Sequence, residues 1–168
     1  MVKINGFFET FLDQELYDKL QSRSKVIRVH CLVRFKTKEG WTEPYPAIID
    51  TGAHTSLLPL RVWSSANHTL LGDHYVKGLV PGAKLDVKVG EVTAIFADMI
   101  NTSKEYSFLC FFSPHDATPL ILGFKELLSE FKVVIDYPKN RMWLEEKIES
   151  IGTLHENAYS IDKPKLYD

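Results

Sequence analysis

Ile48-Ile49-Asp50-Thr51-Gly52-Ala53-His54-Thr55-Ser56-Leu57-Leu58-Pro59 is the stretch on which the fold turns. Ala47, Ile48 and Ile49 form an apolar run suited to a buried strand. The run ends at a carboxylate set on a tight turn of small residues. Asp is depleted in strands and is seldom buried without a partner. Asp50 is therefore either a turn former or a working acid. As a turn former it would bond its own backbone while Gly52 supplied conformational freedom.

A second segment further along bears on the choice. Pro119-Leu120-Ile121-Leu122-Gly123 reads as an apolar strand that stops at glycine. Leu127, Leu128 and Phe131 then follow at helical spacing, which predicts one short helix after Gly123. Val133, Ile135 and Tyr137 alternate with Lys132, Val134 and Asp136 as a strand would. Pro138-Lys139-Asn140-Arg141 predicts a hairpin turn, with Met142-Trp143-Leu144 returning.

The two segments, in this order, resemble the signatures of the retropepsin-like aspartic proteases, the single-lobe retroviral type. The resemblance covers about residues 26–144. It implies a mainly β acid-protease fold, a closed barrel half-lobe. It also implies peptide-bond hydrolysis by a homodimer acting on a peptide or protein substrate, with no metal and no cofactor. By the same resemblance Asp50 is the catalytic acid, and Thr51 locks the two active-site loops across the dimer axis. Gly52 is the position of close approach to substrate backbone, Ala53 is part of the pocket wall, and Gly123 packs behind the catalytic loop. A substrate flap is expected between the signatures. Its candidate is the hairpin tip Gly78-Leu79-Val80-Pro81-Gly82, within Lys77–Ala83.

Only one Asp-Thr-Gly is present. Acid-protease chemistry needs two carboxylates sharing a proton, because like charges about 3 Å apart do not both ionise readily. A two-fold dimer would supply the second from an identical patch. Asp136 is rejected as the second acid, being read as an outward-facing residue. The chain departs from many retroviral members at two positions. His54 stands where they carry an acid, and Phe124 where they carry the arginine that pairs with it. The alternative reading is a catalytically silent dimeric peptide-binding or scaffold module of the same fold.

The rest of the chain agrees with one soluble domain. It has 168 residues, 45% hydrophobic and 25% charged, with a formal net charge of −2. That balance gives no reason to expect nucleic acid or a membrane as partner. Cys31 and Cys110 are read as reduced core residues of a cytoplasmic protein, with a disulfide as the alternative. Phe8, Phe11, Leu12, Leu16 and Leu20 predict an amphipathic helix over 8–22. The expected division is an N-terminal helical extension (1–24), the protease-like domain (25–144) and a polar C-terminal tail (145–168). That tail has six acids against three lysines.

Overall fold

Val33, Phe35, Leu58, Phe96, Phe108, Phe112 and Leu122 are fully buried and come from five different strands that close around one core. The structure, a computed structural model, describes residues 2–21, 24–77 and 84–147. Among these residues the chain is mainly β. The order is β1 (Lys3–Leu12), α1 (Gln14–Leu20), β2 (Lys25–Phe35), β3 (Tyr45–Ile49), β4 (Ser56–Leu58), α2 (Leu60–Trp63), β5 (His68–Lys77), β6 (Lys84–Ala97), β7 (Tyr106–Phe112), β8 (Ile121–Leu122), β9 (Phe131–Asp136) and β10 (Arg141–Glu146). No helix among the described residues is long and apolar enough to cross a membrane.

The strands lie in the order β5-β6-β7-β4-β8-β3-β2-β1-β10-β9, and an extra β2–β6 pairing bends the sheet into a partial ring. β6 makes this possible by its length. Lys88–Ala94 pair with β7 and Ala94–Ala97 pair with β2. Alternation sets the faces: Phe108, Cys110 and Phe112 of β7 point into the core, while Leu109 and Phe111 lie on the other side. The β9–β10 hairpin closes one end, burying Met142 and Leu144 beside Ile4 of β1. It turns through Tyr137–Lys139, with Asn140 in the left-handed conformation at φ 50°. Cys31 and Cys110 are buried free thiols whose pKa values burial raises well above the ordinary thiol range.

The N-terminal region corrects the expected 8–22 helix. Residues through Leu12 are strand, and the helix covers Gln14–Leu20 alone. Two neighbours decide this. Lys3–Gly6 pair with β10 and Phe7–Leu12 pair with β2, so tertiary pairing overrides an apolar spacing that also fits a helix. Gly6 marks the crossing between the two partners. A side chain there would run into the Met142 sulfur and the His30 carbonyl oxygen. The helix starts only where Asp13 accepts from the Leu16 N–H at 2.9 Å as an N-cap.

The helix expected after Gly123 is a run of turns ending in a 3-10 turn, Leu128–Glu130. The left-handed backbone of Glu126, φ 59°, breaks α-helical continuity there. At the other end of the domain Glu145 and Glu146 complete β10.

Candidate active site

Asp50 leaves the end of β3 between two strands it must bond. Ile48 and Ile49 pair in parallel with Ile121 and Leu122, and the Asp50 N–H donates to the Leu122 carbonyl at 3.1 Å. Leu57 of β4 pairs antiparallel with Ile121 from the other side. β8 therefore runs between the strand that enters the Asp50 loop and the strand that leaves it. Two buried strands fix both ends of residues 50–55.

The loop is bonded internally and from behind. One carboxylate oxygen of Asp50 accepts from the Gly52 N–H at 2.8 Å, and the Ala53 N–H donates to the Asp50 carbonyl at 3.2 Å. The Asp50 side chain is thus a turn former with one oxygen. Among the described residues no cation pairs with its carboxylate, and Asp50 itself is half-buried. From behind, the Phe124 and Lys125 N–H groups donate to the Ala53 and His54 carbonyls at 2.9 and 2.8 Å. The buried Ser56 hydroxyl accepts from the Gly123 N–H at 3.0 Å.

Gly123 is glycine for a steric reason. A Cβ there would lie 2.8 Å from both the Ala53 oxygen and the Thr55 carbonyl carbon. Thr51 and Gly52 stand exposed at the loop tip, and Ala53 is half-buried. The Thr51 hydroxyl has no hydrogen-bond partner among the described residues. His54 turns to its neighbour, with Nδ1 3.0 Å from the Thr55 hydroxyl.

A cleft of about 730 Å³ opens over this loop. Asp50, Gly52, Ala53 and His54 form one edge, and Leu57, Phe111 and Ile121 supply apolar wall. Val76 and Lys77, at the end of β5, also line it. The flap candidates Gly78, Leu79, Val80, Pro81 and Gly82 follow directly in the chain but lie outside the described residues. A second hollow of about 650 Å³, between Thr37–Glu39 and Ser64–His68, shares no residue with the Asp50 cleft. Among the described residues the carboxylate, the clamped loop and the apolar wall meet at the first. Asp136 is occupied elsewhere, 3.3 Å from Arg141 and 3.6 Å from Lys139.

Sequence reasoning brought Asp50, Thr51, Gly52, Ala53 and Gly123 into one place, and the structure does place them together. It missed Glu126, whose carboxylate accepts from the Leu109 N–H at 2.9 Å and ties the clamping segment to β7. Nothing local to Glu126 signals that bond. It also gave Ser56 no role. The one hint was a small polar residue between apolar Leu57 and the loop, at a position that alternation turns inward.

In comparison with protein-family models and with curated proteins, no match is found for the chain.

Proposed function

We propose that the chain is an aspartic endopeptidase that works as a homodimer, each copy contributing Asp50 to one shared site. The observation that carries the reading is the Asp50 carboxylate, unpaired by any described cation, on a clamped loop at the edge of an apolar-walled cleft. The likeness of Asp50–Ala53 and Leu120–Gly123 to the retropepsin signatures supports the same assignment. So does the rigidity of the loop, since catalysis by fixed groups gains from geometry settled in advance.

In this reading a water lies between the two carboxylates. One Asp50 takes its proton as the oxygen adds to the peptide carbonyl carbon. The other Asp50, carrying the shared proton, donates it to the carbonyl oxygen. Collapse of the tetrahedral intermediate breaks the C–N bond, and a carboxyl proton passes to the leaving amine. Apolar substrate side chains would rest on Leu57, Phe111 and Ile121. In this reading Thr51, exposed at the loop tip, bonds the partner's loop.

The test is cleavage of a denatured protein mixture at acidic and neutral pH, with solution mass measured on the same samples. Wild-type protein is expected to cleave as a dimer. Asp50→Asn is expected to lose activity by about 10³-fold or more, because both general acid and general base disappear together. A mutant that cleaves as fast as wild type sinks the proposal.

A further inference from the structure

The cleft over Asp50 does not end at Phe111. A further hollow of about 350 Å³ lies beside it, lined by His74, Tyr75, Val76, Lys77 and Phe111. Val76, Lys77 and Phe111 line both hollows, so the two form one groove. Strand pairing lays its floor. Ile121 pairs with Leu57, Leu57 with Phe111, and Phe111 with Val89, which carries one face of the sheet from the Asp50 loop to the β5–β6 ribbon. His74 of β5 stacks on Phe111 with centroids 5.3 Å apart.

The chemistry changes along this groove. Near Asp50 the wall is apolar, whereas basic groups gather at the ribbon. Lys77 and Lys84 stand opposite each other in register, their ammonium nitrogens 5.9 and 4.9 Å from the centre of the Tyr75 ring. His74 stacks on the same ring at 5.5 Å. Among the described residues neither ammonium has a carboxylate partner, and neither ring nitrogen of His74 has a hydrogen-bond partner. Nor does any described carboxylate line this hollow. Asp73 and Asp86 of the same ribbon line a different hollow beside Trp63, and Asp73 is 3.5 Å from Lys88. Glu91 stands opposite Leu109 and lines neither part of the groove.

We propose that this end of the groove selects substrates with an acidic side chain a few residues from the scissile bond, His74 and Lys77 being the specificity-determining residues. The inference rests on the aspartic-endopeptidase reading and names its substrate class. An extended peptide whose apolar side chains rest on Leu57 and Ile121 carries a neighbouring side chain past Phe111. A glutamate there lays its methylenes on Phe111 and Val76. Its carboxylate meets a His74 N–H and the Lys77 ammonium, donors that the protein leaves unpaired. A lysine at the same position adds a like charge and is rejected.

The test uses short synthetic peptides with an apolar centre, identical except for one glutamate or glutamine. That residue is walked through the flanking positions on both sides, because a two-fold repeats the groove. Cleavage by wild-type protein and binding to the Asp50→Asn protein are both measured. Glutamate is expected to be favoured over glutamine at one or more positions by about three- to tenfold, the modest size being that of a solvated contact. His74→Phe keeps a ring to stack on Phe111 and removes the N–H groups; Lys77→Met keeps the stem and removes the charge. Each is expected to reduce the preference, and the two together to abolish it. Both side chains are exposed, and Lys77→Met serves alone should His74→Phe unfold. Wild type that cleaves with no glutamate preference at any position overturns the selection and leaves the enzyme standing. A preference that survives in the double variant overturns the assignment to His74 and Lys77. A glutamate preference in binding that the variants lose, with no cleavage by wild type, sustains the selection and overturns hydrolysis. Neither binding nor cleavage of any peptide overturns both.

Discussion

The Gly123 N–H reaches the buried Ser56 hydroxyl at 3.0 Å, and the space beside it is filled by the Ala53 carbonyl rather than by a side chain. These two residues, far apart in sequence, set how closely β8 packs behind the Asp50 loop.

Gly123→Ala forces backbone to move, since the atoms a Cβ would meet are the Ala53 oxygen and the Thr55 carbonyl. Overpacking of this kind costs about 1–3 kcal/mol. Ser56→Ala leaves the Gly123 N–H buried without an acceptor, a loss of about 1–3 kcal/mol. The two losses should not add, because both act on one contact. Denaturant unfolding of the single and double variants measures this. Gly123→Ala within about 0.5 kcal/mol of wild type, the range of inert surface changes, would show that the loop yields easily.

Asp98 holds β1 to the turn after β6. Burial pushes its pKa up, but N–H groups of Asn5, Asn101 and Ile100 and the Asn5 amide donate to its carboxylate and hold it at about 2. The folded value lies below the 3.8 of an ordinary aspartate. Its contribution is therefore fully present above that value and is lost as pH falls toward 2. Asp98→Asn should cost about 1–2 kcal/mol at neutral pH, since an amide offers one acceptor oxygen where the carboxylate offers two. Stability measured from pH 5 to pH 2 should fall more steeply in wild type than in the variant. Parallel curves would refute the assignment.

His30 carries a sensitivity of the same direction in a higher pH window. Burial lowers its pKa; Glu9, 3.6 Å from Nε2, raises it, and Arg28 lowers it further. Nδ1 is buried without a hydrogen-bond partner among the described residues, and the ring stacks on Phe7 with centroids 5.4 Å apart. The unfolded chain therefore protonates His30 at higher pH than the folded one does. Stability should drop as pH falls below the unfolded value of about 6.5. NMR titration of the ring is expected to show a midpoint below that value, and His30→Phe should flatten the stability profile between pH 6.5 and 5. A ring midpoint above 6.5 would mean that the Glu9 attraction outweighs burial.

What was legible in the sequence was local. The Asp50 loop announces itself because an apolar run meets an acid and a glycine. Strands β2, β3, β7 and β9 announce themselves by alternation. What was missed depends on partners distant in the chain. Phe8, Phe11, Leu12, Leu16 and Leu20 fit a helix until β2 and β10 claim residues 3–12. Asp13 was a local sign of the true helix start. β5 was not legible, because most of its residues are exposed and its strand character comes from the register with β6, broken by a bulge between Leu70 and Gly72. The clamp on the Asp50 loop was legible at Gly123 but not at Ser56 or Glu126, whose roles lie in bonds to segments distant in the chain.

Glu126 yields the last prediction. Its left-handed backbone, φ 59°, is unfavourable for a residue with a Cβ, and its carboxylate bonds the Leu109 N–H at 2.9 Å. The segment it anchors carries the Phe124 and Lys125 N–H groups that grip the Ala53 and His54 carbonyls. If Asp50 is catalytic, Glu126 is a positioning residue for it. Glu126→Ala should lower kcat by about 10- to 100-fold with little change in KM, because small misplacement of a reacting group is costly. Glu126→Gln keeps an acceptor oxygen and should recover most of the loss. Glu126→Gly relieves the backbone without restoring the bond. It should therefore be more stable than Glu126→Ala while staying slow. Steady-state kinetics beside thermal unfolding on the three variants separates positioning from mere folding. A kcat that tracks melting temperature across the set would assign Glu126 to stability alone.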